Sequence, residues 1–213
     1  MFDLSKLTSS TADFQKYVEP QLYDSGLFSP QDSYVIVCEG DTDDLRKKMD
    51  MYAGIDMCTI DRQNQVIQGI ASRIQRGPCW RTFTIRAITD NGSLNTELKK
   101  RALAIKNGDM YPTWTVQAYI NTDDTDVSKI KCTVGIVRTV ELFDYILDNI
   151  KDEGINTVAG LVEALDKQPY IGDIDVRQNY SGGAIFVSCN WDRMILKGID
   201  VKILTGLFDK GVI

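Results

Sequence analysis

An α+β or α/β fold, with a central mixed β-sheet flanked by helices, is predicted by three features of this chain. Two strand-like stretches, 55–60 and 66–75, are joined by the polar turn Asp61-Arg62-Gln63-Asn64, and a third at 81–88 completes an expected antiparallel meander. A helical stretch at 94–106 leads to two further strand-like stretches, 114–120 and 129–137, which extends the meander into a five-stranded mixed sheet. The segment 140–151 places Leu142, Phe143, Ile146, Leu147 and Ile150 on one helical face, the spacing of a helix packed on such a sheet. With 213 residues, 43% of them hydrophobic, the chain is long enough to bury a substantial core.

Each element has a local reason. In 11–26, Phe14, Val18 and Leu22 recur every four residues, Thr11 or Asp13 can cap the start, and Pro20 kinks or divides the helix. Tyr34-Val35-Ile36-Val37-Cys38 reads as a short buried strand, although five apolar residues alone do not separate strand from helix. The acidic run 39–44 gives a turn and a helix start, with Leu45 and Met49 spaced for one face. In 94–106 the apolar side carries Leu94, Leu98, Ala102 and Ile105, leaves Glu97, Lys100 and Arg101 away from it, and ends before Gly108. Thr139 can cap the 140–151 helix, and a second helix follows at 157–167 after Gly154. Beyond Pro169 two strands are expected, 184–189 and 199–204. The organisation is thus a core over 1–152 and a C-terminal helix and strand extension, 153–213, packed on it.

Composition narrows the chemistry. The absence of histidine removes Ser-His-Asp and Cys-His catalysis and histidine-containing zinc sites, leaving carboxylates, lysine, arginine, tyrosine or a hard metal. Thirty acidic against 24 basic residues, a net charge of −6, argue against a general polyanion-binding surface but leave room for a local basic groove. The same balance suits an acidic face that engages a protein partner. Five cysteines, widely separated and never in a Cys-x-x-Cys pair, point to a reduced intracellular, cytoplasmic setting. No apolar run reaches the roughly 20 residues of a membrane span, and the N-terminus lacks a secretory pattern. The acids of 39–44 do not follow the calcium-loop pattern, and Ser181-Gly182-Gly183 lacks the ending of a phosphate loop.

Polar chemistry concentrates between Asp50 and Arg101. Asp56, just after Gly54 and near a strand start, can project toward a divalent cation, with Asp50 or Glu19 adding oxygen ligands; the plainer alternative is a turn carboxylate capping nearby amides. Alternation along 66–75 puts Ala71, Arg73 and Gln75 on one face, where an arginine neutralises phosphate charge and an amide holds a metal-bound water, or where both simply line a polar face. Arg73, Arg76, Arg81, Arg86, Lys99, Lys100 and Arg101, interleaved with Trp80 and Phe83, form the candidate nucleic-acid surface, or else a solvated face with Glu97 and Arg101 as an i,i+4 pair. Trp114 and Tyr119 are expected in the core, and the cysteines are expected as small core residues.

An N-terminal helix bearing Glu19, then Asp50-x-x-x-Gly54-x-Asp56, a hairpin, a strand with Gln68, Arg73 and Gln75, and a helix resembles the PD-(D/E)XK, or restriction-endonuclease-like, superfamily. The resemblance covers roughly the first half to two-thirds of the chain. It implies a divergent, phage or mobile-element type of nuclease that cleaves phosphodiester bonds in nucleic acid, DNA being expected, with Mg2+ or Mn2+. Glu19 would be the helix carboxylate and Asp56 the central metal ligand, assisted by Asp50; Arg73 would stabilise phosphate charge and Gln75 would orient water or metal. Ala71-x-Arg73 has the acid-x-lysine spacing without the acid, a departure that fits an altered nuclease or a nuclease fold without its chemistry. A homodimer is compatible with this reading. The alternative is a non-catalytic phage or mobile-element protein that binds a protein partner through its acidic surface.

Overall fold

The computed structural model describes residues 11–35, 49, 54–89, 92–93, 96–152, 170–178 and 183–210. The chain opens with a π-helical turn, Phe14–Val18, that continues into α1 (Glu19–Asp24). Pro20 has no amide hydrogen for the helical ladder, and the Glu19 amide just before it reaches back five residues to the Phe14 carbonyl. The helix divides as its proline predicts, through a widened turn.

The strands are β1 (Ser33–Val35), β2 (Met57–Asp61), β3 (Val66–Arg76), β4 (Thr82–Ile88), β5 (Trp114–Thr122), β6 (Lys129–Arg138), β7 (Tyr170–Ile171), β8 (Ile174–Gln178), β9 (Ile185–Asn190) and β10 (Lys202–Asp209). Three more helices intervene: α2 (Glu97–Asn107), α3 (Thr139–Asp152) and α4 (Trp191–Leu196). The class is α+β. A six-stranded mixed sheet runs β1-β2-β3-β5-β6-β10, antiparallel throughout except where β5 lies parallel to β3. A four-stranded antiparallel sheet runs β4-β9-β8-β7.

The mixed sheet is confirmed, with six strands where five were expected, and the meander needs correction. β2 and β3 form the expected hairpin, but β4 leaves that sheet and pairs with β9, Thr84 opposite Ser188. Gly77 at φ +126° and Arg81 at φ +52° redirect the backbone around Pro78, so the chain after β3 does not fold back onto it. The excursion through β4 and α2 is what allows β5 to return parallel to β3. The last strand sits at Lys202–Asp209 rather than 199–204, and α4 was not foreseen; Asn190 caps it by accepting from the Arg193 amide at 3.1 Å. The expected helix at 157–167, the acids of 39–44, Asp50 and Ser181-Gly182 lie outside the described residues. No described helix is long and apolar enough to cross a membrane.

Two apolar cores follow from strand alternation. Val116, Ala118, Ile120, Val134 and Ile136 point to the side covered by Phe14, Tyr17, Val18 and Leu22. Phe83, Ile85, Val187 and Cys189 of the second sheet pack with Leu142, Phe143, Ile146 and Ile150 of α3. Burying a side chain the size of Ile136 or Leu142 contributes about 1.5–3 kcal/mol. Trp114 and Tyr119 are buried, as expected of core aromatics. Fully buried Trp191 lies flat against the backbone of Gly135 on β6, and a Cβ there would occupy the indole's place.

Gly135→Ala should therefore destabilise the protein by about 1–3 kcal/mol, as overpacking does in a filled interior. Urea unfolding measures this; an unchanged midpoint would mean that Trp191 does not close the second sheet onto β6.

Candidate functional site

Side chains of β3 at alternate positions part company. Ile70 and Ile74 join the core under the N-terminal helix, whereas Arg73 turns toward the second sheet. Its guanidinium stands 4.5 Å from the centroid of the Phe186 ring, and that of Arg86, opposite Phe186 in the β4–β9 ladder, stands 5.7 Å from the same ring. Arg73 is also in register with Gln117 on β5, whose Oε1 accepts from the Thr84 amide at 3.3 Å and the Thr84 hydroxyl at 2.9 Å. One end of the contact between the two sheets is thus basic and polar.

Glu97, the first residue of α2, enters this end because Thr96 fastens the helix start to β4, donating its hydroxyl to the Ala87 carbonyl at 2.9 Å. The Glu97 carboxylate accepts from Arg101 Nη2 at 3.0 Å, from Arg73 Nη1 at 3.4 Å and from the Arg86 amide at 3.4 Å. Burial pushes the Glu97 carboxyl up, but Arg101, Arg73 and Arg86 together outweigh it and hold the group below the usual range. Burial lowers the Arg73 guanidinium, Glu97 opposes this, and the neighbouring Arg86 and Arg101 add to the lowering. Two guanidinium groups, of Arg73 and Arg101, and the backbone amide of Arg86 therefore share one carboxylate, with the Arg86 charge nearby.

Arg101 corrects an expectation. Its side chain does not lie on the outer face of α2; it is 8% exposed and packs against Gly54, where a Cβ would come within 3.2 Å of Nη2. Gly54 sits at φ +65°, a conformation suited to glycine. Arg101 Nε is buried without an acceptor among the described residues. Two residues further on, the Asp56 carboxylate accepts from the Ser72 amide at 2.5 Å and the Ser72 hydroxyl at 3.2 Å, and the Asp56 amide donates to the Ile70 carbonyl at 2.8 Å. The carboxylate continues the β2–β3 ladder just before β2 begins, the capping role open to a turn aspartate.

The remaining site residues are dispersed. Glu19 accepts from the Tyr23 hydroxyl one turn along α1 at 2.5 Å. Gln68 accepts from the Trp114 indole at 2.7 Å and donates to Asp61 at 3.2 Å, and Gln75 lies in register with Tyr119. Arg76 makes a two-pronged pair with Asp13 at 2.6 and 2.9 Å, and Arg81 makes one with Asp192 at 2.6 and 3.0 Å. Lys99 is exposed and Lys100 half-buried on α2. Of the seven expected phosphate binders, Arg73, Arg86 and Arg101 converge. Among the described residues no three acidic or cysteine side chains are placed to hold a metal ion, and Asp50 lies outside them. Glu19 and Asp56 lie on separate elements, and each gives one carboxylate oxygen to a protein donor, Tyr23 and Ser72 respectively. Cys132 and Cys189 are buried, and burial pushes the Cys132 thiol up to about 12, which suits core residues rather than nucleophiles.

Phe186 and Gln117 were not singled out by sequence, and Glu97 was weighed only as a helix pair. The one local cue to Glu97 is its place at a helix start, where a carboxylate is favoured. Compared with known proteins, the chain matches no family model, no curated protein and no solved structure.

The lowered Glu97 carboxyl gives a signed expectation. A group held below its unfolded value stabilises the fold fully above about pH 4.3 and loses that contribution as pH falls through the lowered folded value. Glu97→Gln should lack this part of the acid limb, so the stability gap to wild type narrows below about pH 4. Urea unfolding across pH 3–7 reads it, at roughly unit pH steps; a gap that widens on acidification contradicts the assignment.

Proposed function

We propose that this chain acts on nucleic acid as a restriction-endonuclease-like protein, the reaction being cleavage of phosphodiester bonds and DNA the expected substrate. The observation that carries the proposal is the pairing of Arg73 and Arg101 with the single carboxylate of Glu97, with the Arg86 guanidinium close by over Phe186, a local excess of positive charge in a chain of net charge −6. A planar, permanently charged guanidinium matches two phosphate oxygens at once, and several of them on one locus recognise an anion rather than a neutral ligand. Part of the order of elements also supports it: an N-terminal helix precedes an antiparallel hairpin, and after β4 and α2 a strand returns parallel to the hairpin's second strand. Asp56 stands at the open end of the hairpin, bonded to Ser72, and in this reading would be the carboxylate nearest the cleavage chemistry. Mg2+ or Mn2+ would supply the Lewis acid for hydrolysis.

Linear, single-stranded and branched DNA and RNA should be incubated with Mg2+, Mn2+ or EDTA, comparing wild type with Asp56→Asn. Metal-dependent cutting by wild type, lost in a folded variant, is the expected result. Arg73→Gln should weaken nucleic-acid binding and reduce the salt dependence of log K by about 0.9 for duplex DNA, the contribution of one phosphate contact. Neither cutting nor salt-sensitive binding on any substrate would turn the assignment to a protein that engages a protein partner through its acidic surface.

A further inference from the structure

We propose that Glu97 is a resident counter-anion standing where a phosphate group binds, so that phosphate displaces it from the Arg73 guanidinium and the Arg86 amide while it stays anchored to Arg101. The inference rests on the phosphate-binding reading above and adds how the site is held in its unliganded form.

The two Glu97 oxygens have unequal partners. Oε1 accepts from Arg101 at 3.0 Å, close to a well-formed charged hydrogen bond, and Arg101 is buried against Gly54 and cannot follow a ligand. Oε2 is shared between Arg73 and the Arg86 amide, both at 3.4 Å, beyond the range of a strong bond. Among the described residues that long contact is the hydrogen bond Arg73 makes, although a guanidinium carries five donors and the Arg73 side chain is 32% exposed. Stacking on Phe186 fixes the plane of Arg73 and leaves its edges for an acceptor. Arg86 is exposed and leans on the same ring, so one tetrahedral oxyanion can bridge the two. Rotation about the Arg101 anchor moves Oε2 aside and keeps the buried guanidinium paired. The chemical class is a phosphate oxyanion, free or within a nucleic-acid strand. Because the carboxylate repels it, the resident charge lowers affinity and favours ligands presenting several phosphates.

The test is calorimetric binding of inorganic phosphate and, separately, of a single-stranded oligonucleotide without a terminal phosphate, to wild type, Glu97→Gln and Arg73→Gln. Glu97→Gln should bind at least one of these about tenfold more tightly than wild type, and Arg73→Gln several-fold more weakly. The responding ligand separates a site for free phosphate from one for the strand. If wild type binds and Glu97→Gln binds equally or more weakly, the counter-anion role is wrong and the phosphate site stands. If no form binds either ligand, the phosphate-binding reading and the inference with it are both wrong. Should Glu97→Gln fail to fold because Arg101 loses its partner, the double variant Glu97→Gln/Arg101→Met removes the buried pair together. Tighter binding than wild type is again expected through Arg73 and Arg86, and its absence overturns the proposal.

Discussion

β5 is the strand on which the rest of the structure depends, because Trp114 to Ile120 are buried along their whole length and so need a layer on each side. Val116, Ala118 and Ile120 are satisfied by apolar contact beneath the N-terminal helix. Thr115, Gln117 and Tyr119 are not, since a polar group removed from water needs a hydrogen-bond partner. Thr82 bonds the Tyr119 hydroxyl, Thr84 bonds Gln117, and Thr139 bonds Thr115. These bonds fix where the second sheet meets the first. Arg73, in register with Gln117, is carried to the border of that contact, and the candidate site forms there.

Electrostatics then divides the arginines. Arg76 and Arg81 each have a dedicated carboxylate in a two-pronged geometry; the exposed Arg81–Asp192 pair contributes little to stability, whereas Arg76 covers the buried Asp13. Arg73 and Arg101 must share Glu97, with the Arg86 charge close by, and Arg101 is buried. Mutual repulsion of three guanidinium groups is tolerated because α2 brings a carboxylate among them at its positive end. The local sign of charge is thereby opposite to that of the whole chain. Net charge described the average surface and was silent about this one place.

The hairpin at 55–75, the helix at 140–151, the Gly108 stop of α2 at φ +71° and the strands around 114–137 were legible, and each rests on short-range causes: turn residues, 3.6- or 2-residue periodicity, and a left-handed cap. β4 was legible as a strand and misplaced as a partner. Backbone hydrogen bonds carry no sequence label, so a strand pattern does not say which edge it will join. Arg101 shows the same limit on a helix: Leu98, Ala102 and Ile105 suggested an apolar stripe that excluded it, yet the Gly54 turn approaches that flank and buries it with Glu97.

By itself the sequence determined the class of fold, many of its elements, and a chemistry left to carboxylates, lysine, arginine, tyrosine or a hard metal by the absence of histidine. It also marked the stretch containing Asp56, Arg73 and Arg101 as the polar centre. Only the tertiary structure decided that Asp56 completes a strand ladder, that Arg76 and Arg81 are drawn off to Asp13 and Asp192, and that Phe186, more than a hundred residues from Arg73, lies beneath it. The reason is physical: periodicity and capping act over a few residues, whereas pairing of charges and stacking on a ring depend on which sheets meet, and that was settled by the burial of β5.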